Sequence, residues 1–590
     1  MTSEPVNRGG MRAPARFPGA LIAVCVIAAA ALALRIVGLQ YGLPAVYNPD
    51  EVAIMARTLS FAKGSLNPHN FLYPTFYFYV LFGWLGVYLA FMYISGRAGS
   101  VDALQRLYFT EPAGLYTAGR ALGALAGTAT VLLVYRLATR LTNRRAGLAA
   151  AAFMAVAPLS VRDSHYVKHD VFATMLVVAA YAAIVRVWPA PSAKEPGRRQ
   201  VLLASGACGA AFSTHYYCIF LALPLAWAIV QAWRVRGWAS VLRMLLLACA
   251  CAAAVFLALS PFLLVEPVTA WRDIVANRAI VVDRAVAAGA FAPALRYVGM
   301  LWHDSIGAPV VLLGCAGALW MLAVAPARAL LLLAFPLPFF AFISNTVPAS
   351  RYLNPVLPFV AVFAAWFLTV LAERLRAKEW MFWGAVLACL VPAGQASVRA
   401  DLFFRQTDTR TLARDYIERS VPPGSTILVQ PYSTPLTQSR EGLVKALTHH
   451  LGSADAASTR FQLQLALSPY PAPAYHLIYL GRGGLDVDKI YVDPSELGGV
   501  RGLSALRRLG VAFVVFKRYN RLDPEVVPFV EALAREARRI AVFSPYRPWV
   551  TAPDRARIDP FLHNTDLRID DALERPGPPL EIWQLDGPGS

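Results

Sequence analysis

Charge is what this 590-residue chain has least of. Only 15% of its residues are Asp, Glu, Lys or Arg, while 57% are hydrophobic; an ordinary soluble domain carries about 25% charged residues. That balance excludes a single soluble domain and equally a disordered chain. Cysteine is scarce as well. The seven, Cys25, Cys208, Cys218, Cys249, Cys251, Cys315 and Cys389, all lie in apolar stretches. No C-x-x-C and no Cys/His zinc spacing occurs, so no disulfide framework or zinc module is implied, and the cysteines read as small buried hydrophobes. A Walker A loop and a G-x-G-x-x-G fingerprint are also missing, which leaves a soluble nucleotide donor with no visible handle.

What charge there is has one sign. The formal net charge is +19, a value that by itself suggests nucleic-acid binding. Its location argues against that partner. Residues 398–590 hold 24 Lys+Arg and 22 Asp+Glu, so nearly all of the excess lies in the apolar residues 1–397. Basic loops between apolar runs are the positive-inside pattern of a membrane protein.

Runs near the roughly 20 residues a bilayer requires fall at about 18–38, 114–139, 146–161, 171–188, 200–214, 216–232, 244–265, 306–325, 329–344, 352–372 and 380–397. Arg8, Arg12 and Arg16 put the N-terminus in the cytoplasm. The clusters at Arg136–Arg145, Lys194–Arg199, Arg234–Arg243, Arg328 and Arg374–Lys378 all face the cytoplasm only if the further apolar segment Phe71–Ile94 does not cross. A juxtamembrane or re-entrant helix is therefore expected there, with about eleven crossings. The inside segments of residues 1–397 then carry +14 and the outside segments +3. The first run could also be read as a cleavable signal peptide ending near Ala31-Leu-Ala33, but it continues through Leu39 and many spans follow. Residues 1–17 read as a cytoplasmic tail, 18–397 as the transmembrane domain with an outer loop at 39–113, and 398–590 as an extracytoplasmic α/β domain. In the last, helix-like Thr411–Ser420 and Glu525–Arg539 alternate with strand-like Ser425–Gln430, Val511–Phe516, Arg539–Phe543 and Leu580–Leu585.

On this layout the conspicuous polar residues collect at the outer face: Asp50-Glu51, Asn67-Pro-His69 with Tyr73-Pro74, Arg162 through Asp170, Thr214-His215-Tyr216, Glu266, His303-Asp304 and Arg351-Tyr352. Ionisable groups near membrane depth are costly and mark function. A carboxylate there can take a proton from an acceptor hydroxyl, and Arg or Lys can hold a phosphate leaving group. Each residue also has a plainer reading: Asp50-Glu51 or Asp170 as a helix start, His69 as an interface residue, Arg351 as a snorkelling cation. Their gathering on one face favours chemistry.

At these residues the sequence resembles the polytopic, lipid-carrier-dependent glycosyltransferases of the GT-C fold, and is similar to relatives of the protein O-mannosyltransferases and the aminoarabinose transferase of lipid A. The resemblance covers roughly 18–372. It is carried by Asp50-Glu51 after the first span, Asn67-Pro-His69 and Tyr73-Pro74, Ser164-His165 with Asp170, and Arg351-Tyr-Leu-Asn-Pro-Val-Leu-Pro358, in that order. It implies a polytopic α-helical membrane fold and inverting transfer of a monosaccharide from a polyprenyl-phosphate donor. Asp50 would be the general base; Glu51 would orient it or contact a divalent metal; Asp170 would be a second acidic residue. Arg120 and Arg351 would hold the carrier phosphate. Lys168, His165, His69, Tyr73 and Tyr352 would contact donor phosphate or sugar, and His215 stands where many relatives have a lysine. The acceptor would be a protein, a glycan or a lipid at the outer face of the cytoplasmic membrane. A transporter or lipid flippase is the competing class, and it predicts ionisable residues at midplane instead.

Overall fold

The computed structural model describes residues 18–189, 197–281, 292–483, 486–497, 503–519, 522–562 and 569–585. The N-terminal tail with Arg8, Arg12 and Arg16, and Lys194, lie outside them. The first part is helical: α1 (Pro18–Ile36), α2 (Pro49–Leu59), α3 (Phe76–Ile94), α4 (Val101–Thr110), α5 (Pro112–Leu141), α6 (Arg144–Ala155), α7 (Pro158–Asp163), α8 (His169–Val187), α9 (Arg198–Phe212), α10 (Ala222–Trp233) and α11 (Trp238–Leu259). Short α12 (Phe262–Val265), α13 (Pro267–Val281) and α14 (Ala292–Met300) precede α15 (Ala308–Val324), α16 (Pro326–Leu333), α17 (Pro336–Ile343), α18 (Leu357–Arg374) and α19 (Glu379–Phe404).

Among the described residues eight helices are long and apolar enough to cross a membrane, or nine if the bent pair α16 and α17 forms one span. The protein is thus a multi-pass membrane protein. Seven of the eleven expected runs meet this test; the eighth helix that does is α3. The run at 146–161 is two helices. α6 stops at Ala155 and α7 starts at Pro158, because a proline cannot donate to the preceding turn. The carbonyls of Met154 and Ala155 that α6 leaves open accept from the buried Arg35 guanidinium at 3.4 and 3.0 Å. The runs at 200–214 and 306–325 are helices of 15 and 17 residues.

Thirty residues make α5 about 45 Å long, half as long again as a bilayer core. Arg35, at the end of α1, packs at Gly127, so the first half of α5 overhangs the end of α1. α3 packs on that overhang. Its Phe76 N–H donates to the Ser213 carbonyl beyond α9, and Trp84 Nε1 donates to Ala118 O at 2.7 Å. Tyr77, Phe78, Leu81 and Leu85 share a core with Leu115, Tyr116, Leu122 and Ala126 of α5. At the far end of α5, Arg328 donates to Leu141 O and Arg145 pairs with Glu379. Arg145 and Arg328 are therefore separated from the overhang by the length of α5.

The second part is a mixed sheet flanked by helices. Its strands β1 (Thr426–Val429), β2 (His476–Leu480), β3 (Tyr491–Val492), β4 (Val511–Lys517), β5 (Ala537–Phe543) and β6 (Leu580–Leu585) lie in the order β3-β2-β1-β4-β6-β5. β1 pairs parallel with β2 and β4, whereas β6 runs antiparallel to β4 and β5. Burial follows this arrangement: β4 and β6 are buried almost throughout and the edge strand β5 is largely open. A mixed core of Tyr41, Tyr47, Tyr166, Phe403, Phe404, Tyr546 and Phe561 joins this domain to the loop after α1 and to the end of α19. It is docked at the overhang end of the helical part.

Candidate active site

The first loop turns into α2 through Asn48, whose side chain accepts from the Asp50 N–H at 3.1 Å, and Pro49 starts the helix with φ already fixed. Consecutive residues on a helix point about 100° apart, so Asp50 and Glu51 diverge. Glu51 turns inward. It is fully buried, its two oxygens accept from Arg120 Nε and Nη2 at 2.9 and 2.8 Å, and Oε1 also accepts the Val167 N–H at 2.8 Å. Arg120 Nη1 donates to the carbonyls of Leu39 and Tyr41. This bidentate pair ties α2, α5, the first loop and the 164–168 loop together.

Asp50 turns outward. Its Oδ2 meets Lys168 Nζ at 2.6 Å; the lysine is buried, whereas the carboxylate is 48% exposed. Burial raises the Asp50 carboxyl, but the charges of Lys168 and Arg351 outweigh it and hold the group at about 2. Asp50 is therefore a charged, reachable carboxylate at neutral pH.

Lys168 is held opposite it by close packing on α5. Gly119, Gly123 and Gly127, four residues apart, form one stripe on that helix. A Cβ at Gly123 would stand 3.0 Å from Ser164 O, and one at Gly127 would stand 2.5 Å from Ser164 Oγ. Only glycine lets the 164–168 loop lie this near the helix axis. Arg351 arrives from the other side. Its segment is pinned by a buried network in which Arg162 donates to Asp163 and to Ser350 Oγ, and Asn354 donates to Asp163 Oδ2 at 2.6 Å.

Behind the ion pair lies a buried cluster. His169, Asp170 and His215 each present a ligand-type atom, all within 4.8 Å of one another. The Tyr73 ring sits 3.9 Å from the His169 ring and 5.3 Å from the His215 ring. Asp170 Oδ2 and His169 Nδ1 are buried without a hydrogen-bond partner. Such orphaned atoms are uncommon and call for a ligand, an ion or water. Two imidazoles and a carboxylate are a donor set suited to a zinc-like divalent ion, with Lys168 beside them on the positive side of the balance.

The sequence-predicted residues thus divide. Asp50, Lys168, Asp170, Arg351, Tyr352, Tyr73 and His215 come together; Tyr352 and Asp170 both act on Arg351, and Arg351 on Asp50. Glu51, Arg120, His165 and His69 do not join them, because their polar atoms are engaged elsewhere. Glu51 is wrapped by Arg120 and has no side open to a metal, and Arg120 has its donors on Glu51 and two carbonyls rather than on a phosphate position. His165 is buried with Nδ1 at 2.9 Å from Val161 O and Nε2 at 2.7 Å from Val37 O. His69 is an exposed loop residue whose Nδ1 meets Glu266 Oε1 at 2.7 Å. His169 was not foreseen, although it stands between two residues that were. The glycine stripe was equally readable as three glycines at a spacing of four.

The arrangement is that of a multi-pass membrane protein with an ionised carboxylate, two cations and orphaned polar atoms gathered at one end of the bundle, under a docked α/β domain. Residues 114–264, which include all but the first two residues of α5 and Lys168, Asp170 and His215, match the model of the dolichyl-phosphate-mannose-protein mannosyltransferase family, in agreement with the resemblance carried by the motifs. No curated protein sequence matches the chain. Among solved structures the chain is similar to ArnT from Cupriavidus metallidurans bound to undecaprenyl phosphate, at 16% identity and a TM-score of 0.47, over 88% of this chain and 96% of that one. It is also similar to the Archaeoglobus fulgidus oligosaccharyltransferase tethered to an acceptor peptide (12% identity, TM-score 0.44, 85% and 69% covered). A third is the arabinofuranosyltransferase AftD from Mycobacteria (15%, 0.37, 95% and 41%).

Proposed function

We propose that this protein is a membrane glycosyltransferase that moves a monosaccharide from a polyprenyl-phosphate donor to an acceptor hydroxyl at the outer face of the cytoplasmic membrane, with inversion. The observation that carries this reading is the Asp50–Lys168–Arg351 group: a reachable carboxylate beside two cations. The matched family is named for a lipid-phosphate sugar donor, and ArnT was solved with a lipid phosphate.

In this reading the donor phosphate lies between Lys168 and Arg351, which neutralise its charge as the glycosidic bond breaks. Asp50 takes the proton of the acceptor hydroxyl as that oxygen attacks the anomeric carbon from the opposite side. A carboxylate held near 2 by Lys168 is a weak base. A phosphate that draws the Lys168 ammonium toward itself relieves that hold, so donor binding raises the basicity of Asp50. His169, Asp170 and His215 are the residues that would hold a divalent ion, which would add positive charge near the phosphate; the proton transfer at Asp50 does not depend on it. The basic clusters at the opposite end of α5, and the packing of α3 on its overhang, support a cytoplasmic basic end and a non-crossing α3.

The test is transfer of labelled sugar from a polyprenyl-phosphate donor by the purified protein, wild type against Asp50→Asn. Equal turnover in the two would remove Asp50 from the reaction, and no turnover with any donor sugar would favour a transporter.

A further inference from the structure

The α/β domain meets the first loop at a concavity, lined by aromatic and cationic side chains, that the ion-pair cluster does not use. Tyr47 from the first loop and Pro49 at the start of α2 face Arg410, Tyr432, Lys517 and Tyr519 across a cleft of about 270 Å³. Its position follows from the sheet. From β1 the chain goes to β2 and β3 on one side and returns to β4 on the other, all parallel. Loops leaving two such central strands diverge, and ligands bind in the crevice at their carboxyl ends. Tyr432 follows the end of β1, while Lys517 ends β4 and Tyr519 follows it, so the cleft is that crevice. Gln430 braces its base by accepting the Lys517 N–H at 2.8 Å.

The two cations in the cleft differ. Arg410 donates to both oxygens of Asp408 at 2.8 and 2.6 Å and lies 3.7 Å over the Tyr47 ring. Lys517 has no such partner: among the described residues no carboxylate pairs with it, and its ammonium lies 5.6 Å from the Tyr519 ring centroid. Burial, with Arg410 nearby, holds it down to about 8. A half-buried ammonium without a counter-charge is costly unless a ligand supplies one. Tyr432 is held at φ 62° with its ring 71% exposed at the rim; backbone strain of this kind in a non-glycine residue clusters at ligand clamps. Tyr432 and Tyr519 supply flat faces with hydroxyl tips, while the Tyr47 ring is covered by Arg410 and its hydroxyl meets Thr411 Oγ1 at 2.6 Å; such faces suit a sugar ring better than a peptide backbone or an acyl chain.

We propose that this cleft is an acceptor subsite and that it takes a sugar carrying an anionic substituent, the ring lying on Tyr519 and Tyr432 and the phosphate or carboxylate on Lys517. The naming of the ligand as acceptor rests on the glycosyltransferase reading; the binding site itself does not. Pro49, the residue before Asp50, lines the cleft, so the bound sugar lies next to the start of α2.

The experiment is calorimetric titration of the full-length protein in nanodiscs at pH 7 with glucose 6-phosphate, glucuronate, glucose and inorganic phosphate. Glucose 6-phosphate and glucuronate are expected to bind at least tenfold more tightly than glucose or phosphate alone. Lys517→Gln is expected to lose at least tenfold for both anions, Lys517→Arg to recover most of it, and Tyr519→Ala to weaken all three sugars. Anion affinity falls between pH 7 and 9.5, because the ammonium form is the binding form and the bound anion moves its midpoint above 8. Equal binding of glucose and glucose 6-phosphate, or an unchanged Lys517→Gln, would overturn the proposal. Phosphate binding as tightly as glucose 6-phosphate would overturn its sugar half. Asp50→Asn keeps the binding while losing transfer. Lys517-dependent binding without transfer in wild type would therefore leave the cleft standing and remove the enzyme reading, and the converse would do the reverse.

Discussion

Asp50 and Glu51 are neighbours in sequence and belong to opposite kinds of surroundings. Around Glu51 the polar groups are paired: two oxygens meet one guanidinium and one backbone N–H, and Arg120 is filled in turn. Around Asp50 the polar groups are short of partners. The carboxylate is half open, and Asp170 Oδ2 and His169 Nδ1 just behind it are bare. A saturated buried pair holds shape, while an unsaturated one is waiting for a ligand. Glu51 therefore acts as a positioning residue: through Val167 it fixes the loop that sets Lys168 against Asp50.

That contrast predicts opposite phenotypes. Asp50→Asn should lower transfer by about 10²–10⁴-fold, as expected for loss of a general base, with the thermal midpoint unchanged; a midpoint that fell with activity would merge the two surroundings into one. Glu51→Ala strands a buried Arg120 and should cost roughly 3–5 kcal/mol of stability, read as a lowered midpoint in thermal unfolding, with donor binding by the surviving folded fraction weakened only through the released 164–168 loop. Arg351→Ala should reduce kcat/KM by about 10²-fold, the size of losing one donor to a developing charge, and a wild-type value would make Arg351 only an anchor. The pH profile of kcat/KM separates Asp50 from any other base. A carboxylate whose pKa is depressed to about 2 stays ionised until the pH falls to that value, so the acid limb should be flat from pH 8 to 4 and drop only below. A limb near 6 would assign the base elsewhere. His69→Ala, at an exposed loop, should change stability by less than about 0.5 kcal/mol and transfer by less than twofold.

Much of this is legible in the sequence, and the reasons for the rest are physical. Apolar run length located α1, α5, α8, α10, α11, α18 and α19, and short strand-like runs set off by turn residues located β1, β4, β5 and β6. β2, His-Leu-Ile-Tyr-Leu, shows no period-two alternation, and β3 has only two residues, so neither stands out. Residues Asp50, Lys168, Asp170 and Arg351 were readable as polar groups at apolar run ends. Which of Asp50 and Glu51 turns inward was not, because adjacent residues carry no sign of which face of α2 is covered until α5 is packed against it. Arg120 reads equally as a phosphate ligand or a carboxylate clamp until its partner is known. His169 disappeared between Lys168 and Asp170, since its importance lies in nearness to His215, 46 positions away in the chain.

The glycine stripe of α5 also governs where the chain can change length. Gly119, Gly123 and Gly127 face the 164–168 loop only in one rotational setting of the helix. Inserting a single residue between them would swing the later glycines by about 100°, and side chains would meet the loop where bare backbone now does. Beyond Gly127, toward Leu141, the register serves packing instead of the site: Val131, Val134, Leu137 and Ala138 are buried, and a Cβ at Gly147 of α6 would stand 2.9 Å from Tyr135 O. Insertions and deletions should thus be costly on both sides of Gly127, through the site on one side and through the core of Val131, Val134, Leu137 and Ala138 on the other, and the helix keeps its count as a key keeps its notches.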